Sequence, residues 1–169
     1  EAADSSEGGA GQREQRVRDQ EDDGEKKAEG TQLVLHNLST GAEWRYEDVT
    51  AYVLAKNGSR LAYARSSKDG DADGVFAVTL GDDAAEALMM GKGVYKGLAL
   101  DQQGDQIAFL SNRDEFEADQ PTFTLYYWKS GNDEARAAVG ASTPGVPAGW
   151  WVSENEDASF SENGERLFF

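Results

Sequence analysis

Residues Asp101–Asp114 read DQQGDQIAFLSNRD: a polar turn carrying Gly104, a short apolar burst Ile107-Ala108-Phe109-Leu110, then polar residues again. The same sentence is written twice more, as AKNGSRLAYA (Ala55 to Ala64) and SENGERLFF (Ser161 to Phe169). Its glycines, Gly58, Gly104 and Gly164, stand 46 and 60 residues apart. Glycine at that place permits the positive φ of a tight hairpin turn, and the flanking alternation is that of antiparallel strands.

A second hairpin sentence lies between these. Leu33 to Leu38 turns at Ser39-Thr40-Gly41 into Ala42 to Tyr46; Val75 to Leu80 turns at Gly81-Asp82-Asp83 into Ala84 to Met90; Thr124 to Lys129 turns at Ser130-Gly131-Asn132 into Glu134 to Val139. The first arm of each is rich in β-branched and aromatic residues. Two hairpin types in strict alternation make a four-stranded unit of about 40 to 50 residues, the period of a propeller blade. A sandwich of the same strands would not require that alternation. The expectation is an all-β partial β-propeller with two complete four-stranded antiparallel blades at about 49–91 and 92–140. An outer half blade is expected at about 31–48 and an inner half blade at 156–169. Residues 141–155, which contain TPGVPAGWWVSEN, read as an inserted loop.

Residues 1–30 contain one Val and no other large aliphatic or aromatic residue, so they have little to bury against the entropy of ordering. They read as a charged, low-complexity, flexible segment; its Arg, Glu and Gln also suit a short helix through Gln12 to Gln20. The chain begins with Glu1 and ends in mid-strand at Phe169, which suggests a piece of a larger protein. Thirty-two acidic against sixteen basic residues give a net charge of -16, which argues against nucleic acid or an anionic membrane as partner. With no cysteine there is neither a disulfide framework nor a thiolate metal site, and no apolar run approaches the roughly 18 residues of a spanning helix.

NGSRLAYARSS, QGDQIAFLSNRD and NGERLFF resemble the WD40-like repeats of TolB-type propellers. GTQLVLHNLSTG, SNRDEFEADQPTFTLYYWKSG and PGVPAGWWVSENEDASFSENGERLFF are similar to the N-terminal propeller of bacterial prolyl oligopeptidase family serine peptidases, over about residues 30–169. The resemblance implies a non-catalytic cap that gates or docks peptide substrate. Its partners would be the remaining propeller blades and a C-terminal α/β-hydrolase domain that follows in sequence. It implies a periplasmic or secreted setting and no cofactor. The alternative is a TolB-like protein- or ligand-binding propeller with no enzyme attached. The nucleophile motif G-x-S-x-G is absent: Gly140-Ala141-Ser142-Thr143-Pro144 lacks the second Gly, and its Pro is wrong for a strand-to-helix elbow. No catalytic residue transfers onto this chain.

Four features invite chemistry. His36, the only histidine, sits in mid-strand and reads as a surface or inter-blade residue. Asp69-Gly70-Asp71-Ala72-Asp73-Gly74 has the D-x-D-x-D-G spacing of a calcium loop, with Asp69, Asp71 and Asp73 as candidate ligands. Leu80 stands at its twelfth position in place of a bidentate Glu, and the flanks read as strands, so an EF-hand is excluded; an Asp/Gly-rich blade turn is the alternative. Asp114, Glu115, Glu117 and Asp119 imitate a general acid/base pair, but in a polar loop with no apolar wall to raise a pKa. Tyr126 and Trp128 should pack between blades with Tyr127 facing the other way, while Trp150 and Trp151 are the candidate contact surface, with packing that anchors their loop as the alternative.

Overall fold

The computed structural model describes residues 27–82 and 84–169; the helix considered at Gln12 to Gln20 lies outside them. Among the described residues eleven strands form: β1 (Thr31–His36), β2 (Glu43–Leu54), β3 (Arg60–Arg65), β4 (Gly74–Thr79), β5 (Glu86–Met90), β6 (Tyr95–Leu100), β7 (Gln106–Ser111), β8 (Thr124–Lys129), β9 (Arg136–Val139), β10 (Ser159–Phe160) and β11 (Leu167–Phe168). All neighbours pair antiparallel, in the orders β1-β2-β3-β4-β5, β6-β7-β8-β9 and β10-β11.

The three glycine turns fall in three successive sheets and repeat one hydrogen-bond pattern. Ala55, Asp101 and Ser161 each donate their backbone N–H to the carbonyl five residues on and accept from the glycine three residues on. The turns also stack. Asn57 Nδ2 and Ser59 Oγ both donate to the Gln103 carbonyl at 2.9 Å, and Gln106 Nε2 donates to the Gly164 carbonyl at 3.0 Å.

Sequence reading divides the chain at 48/49, yet β2 runs through that point and joins the first hairpin to the next sheet. The explanation is a bend without a loop. Asp48 is the one non-glycine residue of positive φ (58°) among the described residues, and the β2–β3 register slips between Val49 and Ala51. Tyr63 pairs with Tyr52, which a straight strand would place about 20 Å from Tyr46. The Tyr46 and Tyr63 ring centroids are 4.8 Å apart, so β2 folds back at Asp48 and lays β1 and its own first half over the following sheet.

Three apolar layers result. Leu33 and Tyr46 of the first hairpin pack on Leu61, Tyr63, Phe76 and Val78. The far side of that sheet presents small residues, Ala62, Ala64, Val75 and Ala77, to the large ones of the next: Ile107, Phe109, Tyr126 and Trp128. Beyond it, Ala99, Ala108 and Leu110 meet Val152, Ala158, Phe160 and Leu167 around the last hairpin. Tyr127 points away from the middle layer, as expected, and donates to Gln106 Oε1 at 2.7 Å. Ring pairs recur in matched geometry: Tyr63–Phe76 at 5.5 Å and 17°, Phe109–Tyr126 at 5.6 Å and 16°. These are the faces of propeller blades.

Stacked turns give a testable contrast. A Cβ at Gly58 (φ +71°) meets nothing within 4 Å, whereas one at Gly104 (φ +82°) falls 2.6 Å from Ser59 Oγ and 3.1 Å from Arg60 Cβ of the preceding blade. Gly58→Ala should cost about 1 kcal/mol from the backbone alone. Gly104→Ala should cost about 1–3 kcal/mol more through overpacking. Urea midpoints of the two variants measure the difference; equal losses would mean the turns do not stack.

Candidate functional site

Alternation of strand direction sorts the connections onto two rims. Among the described residues one rim carries only the connections β1–β2, β2–β3, β4–β5, β6–β7, β8–β9 and β10–β11, none longer than six residues. The other gathers the within-blade crossings 66–73 and 112–123 with the blade-to-blade links 91–94 and 140–158, which include the two longest connections between strands. Long loops on a rigid scaffold are where a propeller can vary without disturbing its core. This loop rim is the candidate site.

Asp73 is its buried anchor. Its carboxylate has no exposure and pairs with Lys27 Nζ, which also donates to the Ser67 carbonyl at 2.7 Å. Asp73 further accepts from Ser67 N at 2.8 Å, Ser67 Oγ at 3.2 Å and Gly93 N at 3.3 Å, tying the crossing 66–73 to the link that starts the next blade. Ser66 Oγ donates to the Ala28 carbonyl at 2.6 Å and Gly30 N to the Ser66 carbonyl at 3.1 Å. Residues 27–30 are therefore held against the first blade. Nothing local signals this: Lys27 is one charge among many in its stretch, and its partner is 46 residues away.

The calcium spacing is not gathered into a site. Asp69 and Asp71 face solvent while Asp73 turns inward to Lys27. Among the described residues no three His, Cys, Asp or Glu side chains are grouped as metal ligands.

On the crossing 112–123 a 3-10 turn, Arg113–Glu115, organises the acidic cluster. Arg113 lies over the Tyr126 ring, bonds Asp114 Oδ1 at 2.8 Å and reaches back to the Met90 carbonyl at 3.2 Å. Tyr126 donates its hydroxyl to Asp114 Oδ2 at 2.6 Å. That bond and Arg113 hold Asp114 below its ordinary value of 3.8, against the opposing effect of burial. Hydrogen bonds from Thr122 lower Glu115 likewise. Both shifts run opposite to what a general acid needs. Burial, with help from Asp114, raises the Tyr126 phenol, and burial pushes Tyr95 up to about 12. Glu117 and Asp119 stay exposed. His36 is remote from this cluster, at the turn-rim end of β1, 3.1 Å from Glu43 Oε1 on an exposed surface. Arg113, which sequence reading passed over, is the residue that bridges the two blades here.

Cavities open on this rim among the described residues. One of about 260 Å³ lies between Lys27, Thr50, Ser66 and the start of β6 at Val94–Lys96, and another of about 470 Å³ between Lys92 and residues 113–118. In the link 140–158, Trp150 is 67% and Trp151 46% exposed. No helix is long and apolar enough to cross a membrane among the described residues.

No protein-family model matches the sequence, and no curated protein matches it. Among solved structures the chain is similar to the β-propeller domain of the Trilobed protease from Pyrococcus furiosus, at 14% identity and a TM-score of 0.50, over 62% of this chain and 33% of that one. It is also similar to TolB from Acinetobacter baumannii (15% identity, TM-score 0.48, 79% of this chain and 30% of that one). A third similar structure is an acylaminoacyl peptidase from Pyrococcus horikoshii (16% identity, TM-score 0.44, 62% and 19%). The chain spans a third or less of the length of these structures. The first likeness establishes the fold, a partial β-propeller.

Three outcomes follow from the rim. Lys27→Met leaves the buried Asp73 carboxylate without its cation and should destabilise the chain by about 1–3 kcal/mol, less than a fully buried pair because Lys27 is partly solvated. Calcium should leave the melting temperature unchanged; a calcium-dependent rise abolished by Asp71→Ala would restore the metal reading. Tyr126→Phe should cost about 1 kcal/mol at neutral pH. Because Asp114 is depressed in the folded state, its contribution is present above about 3.8 and lost as pH falls through the lowered value. The gap between Tyr126→Phe and wild type should therefore narrow in acid, measured as denaturation midpoint against pH.

Proposed function

We propose that this chain is propeller from a prolyl-oligopeptidase-like serine peptidase, and that its loop rim docks on a hydrolase domain and gates peptide access to it. The observation that carries the reading is the gathering of both long connections on one rim, with Trp150 and Trp151 standing exposed there. Exposed tryptophans on a rigid scaffold are suited to contact, since each offers large apolar area at little entropic cost. Two of the three phrases resembling peptidase propellers, SNRDEFEADQPTFTLYYWKSG and PGVPAGWWVSENEDASFSENGERLFF, run through this rim. One similar structure is the propeller domain of a protease, which supports the same direction.

In this reading the propeller performs no bond-breaking step. It supplies a wall of antiparallel sheets that admits short or unfolded peptides and excludes folded ones, and a rim that orients the hydrolase. The nucleophile, base and orienting acid belong to that domain.

The test is the reading frame around this chain and the protein it encodes. Further blades followed by G-x-S-x-G, Asp and His in that order are expected, with hydrolysis of short peptides. Trp150→Ala/Trp151→Ala in that protein should lower kcat/KM or widen size selectivity, leaving the propeller folded. A frame that closes after the blades with no hydrolase would contradict the proposal and favour a TolB-like binding propeller.

A further inference from the structure

The first hairpin meets the first blade on the same plan by which the first blade meets the second, but a ring is missing from the first of these contacts. A shift of 46 residues carries Gly58 onto Gly104, Leu61 onto Ile107 and Tyr63 onto Phe109. A shift of 50 carries Phe76 onto Tyr126, Val78 onto Trp128 and Gly81 onto Gly131. The ladders agree with both shifts: Leu61 pairs with Val78 and Tyr63 with Phe76, as Ile107 pairs with Trp128 and Phe109 with Tyr126. The turns agree too. Asp82 donates its N–H to the Thr79 carbonyl at 3.0 Å, as Asn132 donates to the Lys129 carbonyl at 2.9 Å.

In the second contact the indole of Trp128 is fully buried, and its Nε1 donates to the Asn132 carbonyl at 2.9 Å. In the first contact Val78 stands at that position, with neither ring nor donor. There a cavity of about 290 Å³ opens on the turn rim, between Leu35, Trp44 and Tyr46 of the first hairpin and Val78, Leu80 and Asp82 of the first blade. The Asp82 carbonyl is the counterpart of the one that accepts from Trp128. An apolar cavity of about 150 Å³ is enough to hold benzene. The larger volume here has room for a fused two-ring system, and Trp44 and Tyr46 offer aromatic surface for it to pack on.

We propose that this cavity binds an indole-type ring, a fused aromatic carrying an N–H donor. The ring lies where Trp128 lies in the next contact, against Trp44, and donates its N–H to the Asp82 carbonyl. It arrives as a free heterocycle or as a tryptophan side chain, and the chemistry recognised is the same. The site is on the turn rim, away from the loops assigned to docking. It therefore stands on the repeat and the cavity alone, whether or not a hydrolase is attached.

The probe is indole itself, titrated into the isotope-labelled 169-residue chain. Saturable shifts of the Leu35, Val78 and Leu80 methyl resonances and a rise in melting temperature are expected. N-methylindole keeps the rings and loses the donor, so it should bind about fivefold more weakly, the worth of one hydrogen bond. Val78→Trp supplies the ring from within the chain and should abolish the indole-induced shifts at Leu35 and Leu80. Should that variant not fold, intermolecular NOEs from indole to the Val78 and Leu80 methyls of the unmodified chain decide. N-acetyltryptophanamide binding as tightly as indole would assign the ring to a side chain, and binding of indole alone would assign it to a free heterocycle. Shifts that do not saturate, shifts clustered at Trp150 and Trp151, equal affinity for indole and N-methylindole, or undiminished binding to Val78→Trp would overturn the proposal.

Discussion

A four-stranded antiparallel sheet has two faces, and burying both requires a neighbour on each side. Between its first and second sheets this chain meets that constraint by complementary faces: Ala62, Ala64, Val75 and Ala77 on one side, Ile107, Phe109, Tyr126 and Trp128 on the other. Ala62 and Ala64 let Ile107, Phe109 and Trp128 approach until no solvent remains between them. The polar edges follow the same logic. Arg60 lies 4.9 Å over the Trp128 ring of the next blade, Ala135 donates its N–H to the Leu88 carbonyl at 2.8 Å, and the glycine turns bond to one another. Everything on the loop rim is positioned by this stacking, since Asp73 and Arg113 each reach from one blade to the next.

The stacking also explains why so much of the fold could be read from the sequence. A turn with its glycine and the alternation after it are local, and each blade repeats them, so three copies of one sentence identify the unit. Tyr126, Tyr127 and Trp128 divide between faces as their alternation requires. The return of β2 at Asp48 was not legible, because the residue there is an aspartate in a conformation that glycine usually marks. The grip of Lys27 on Asp73 was hidden for another reason. A buried ion pair across 46 residues leaves no local pattern, and the neighbouring D-x-D-x-D-G spacing suggested a different use for the same carboxylate.

Function is less local still. The acidic residues at 114 and 115 are committed to Tyr126, Arg113 and Thr122, and His36 to a surface pair, so these groups serve the scaffold. What is left over is shape: one rim of short turns, one rim of long loops, and two exposed tryptophans in the longest of them. That asymmetry is the observation on which the proposed docking role rests.

The account depends on energetic contact between consecutive sheets, and a double-mutant cycle across one such contact addresses it directly. Arg60 and Trp128 belong to different blades, and only face-to-face stacking brings them together. Denaturant midpoints of Arg60→Ala, Trp128→Leu and the double variant should give a coupling of at least about 0.5 kcal/mol. Strictly additive losses would show that the two sheets do not bear on each other, and the propeller arrangement would fail with them.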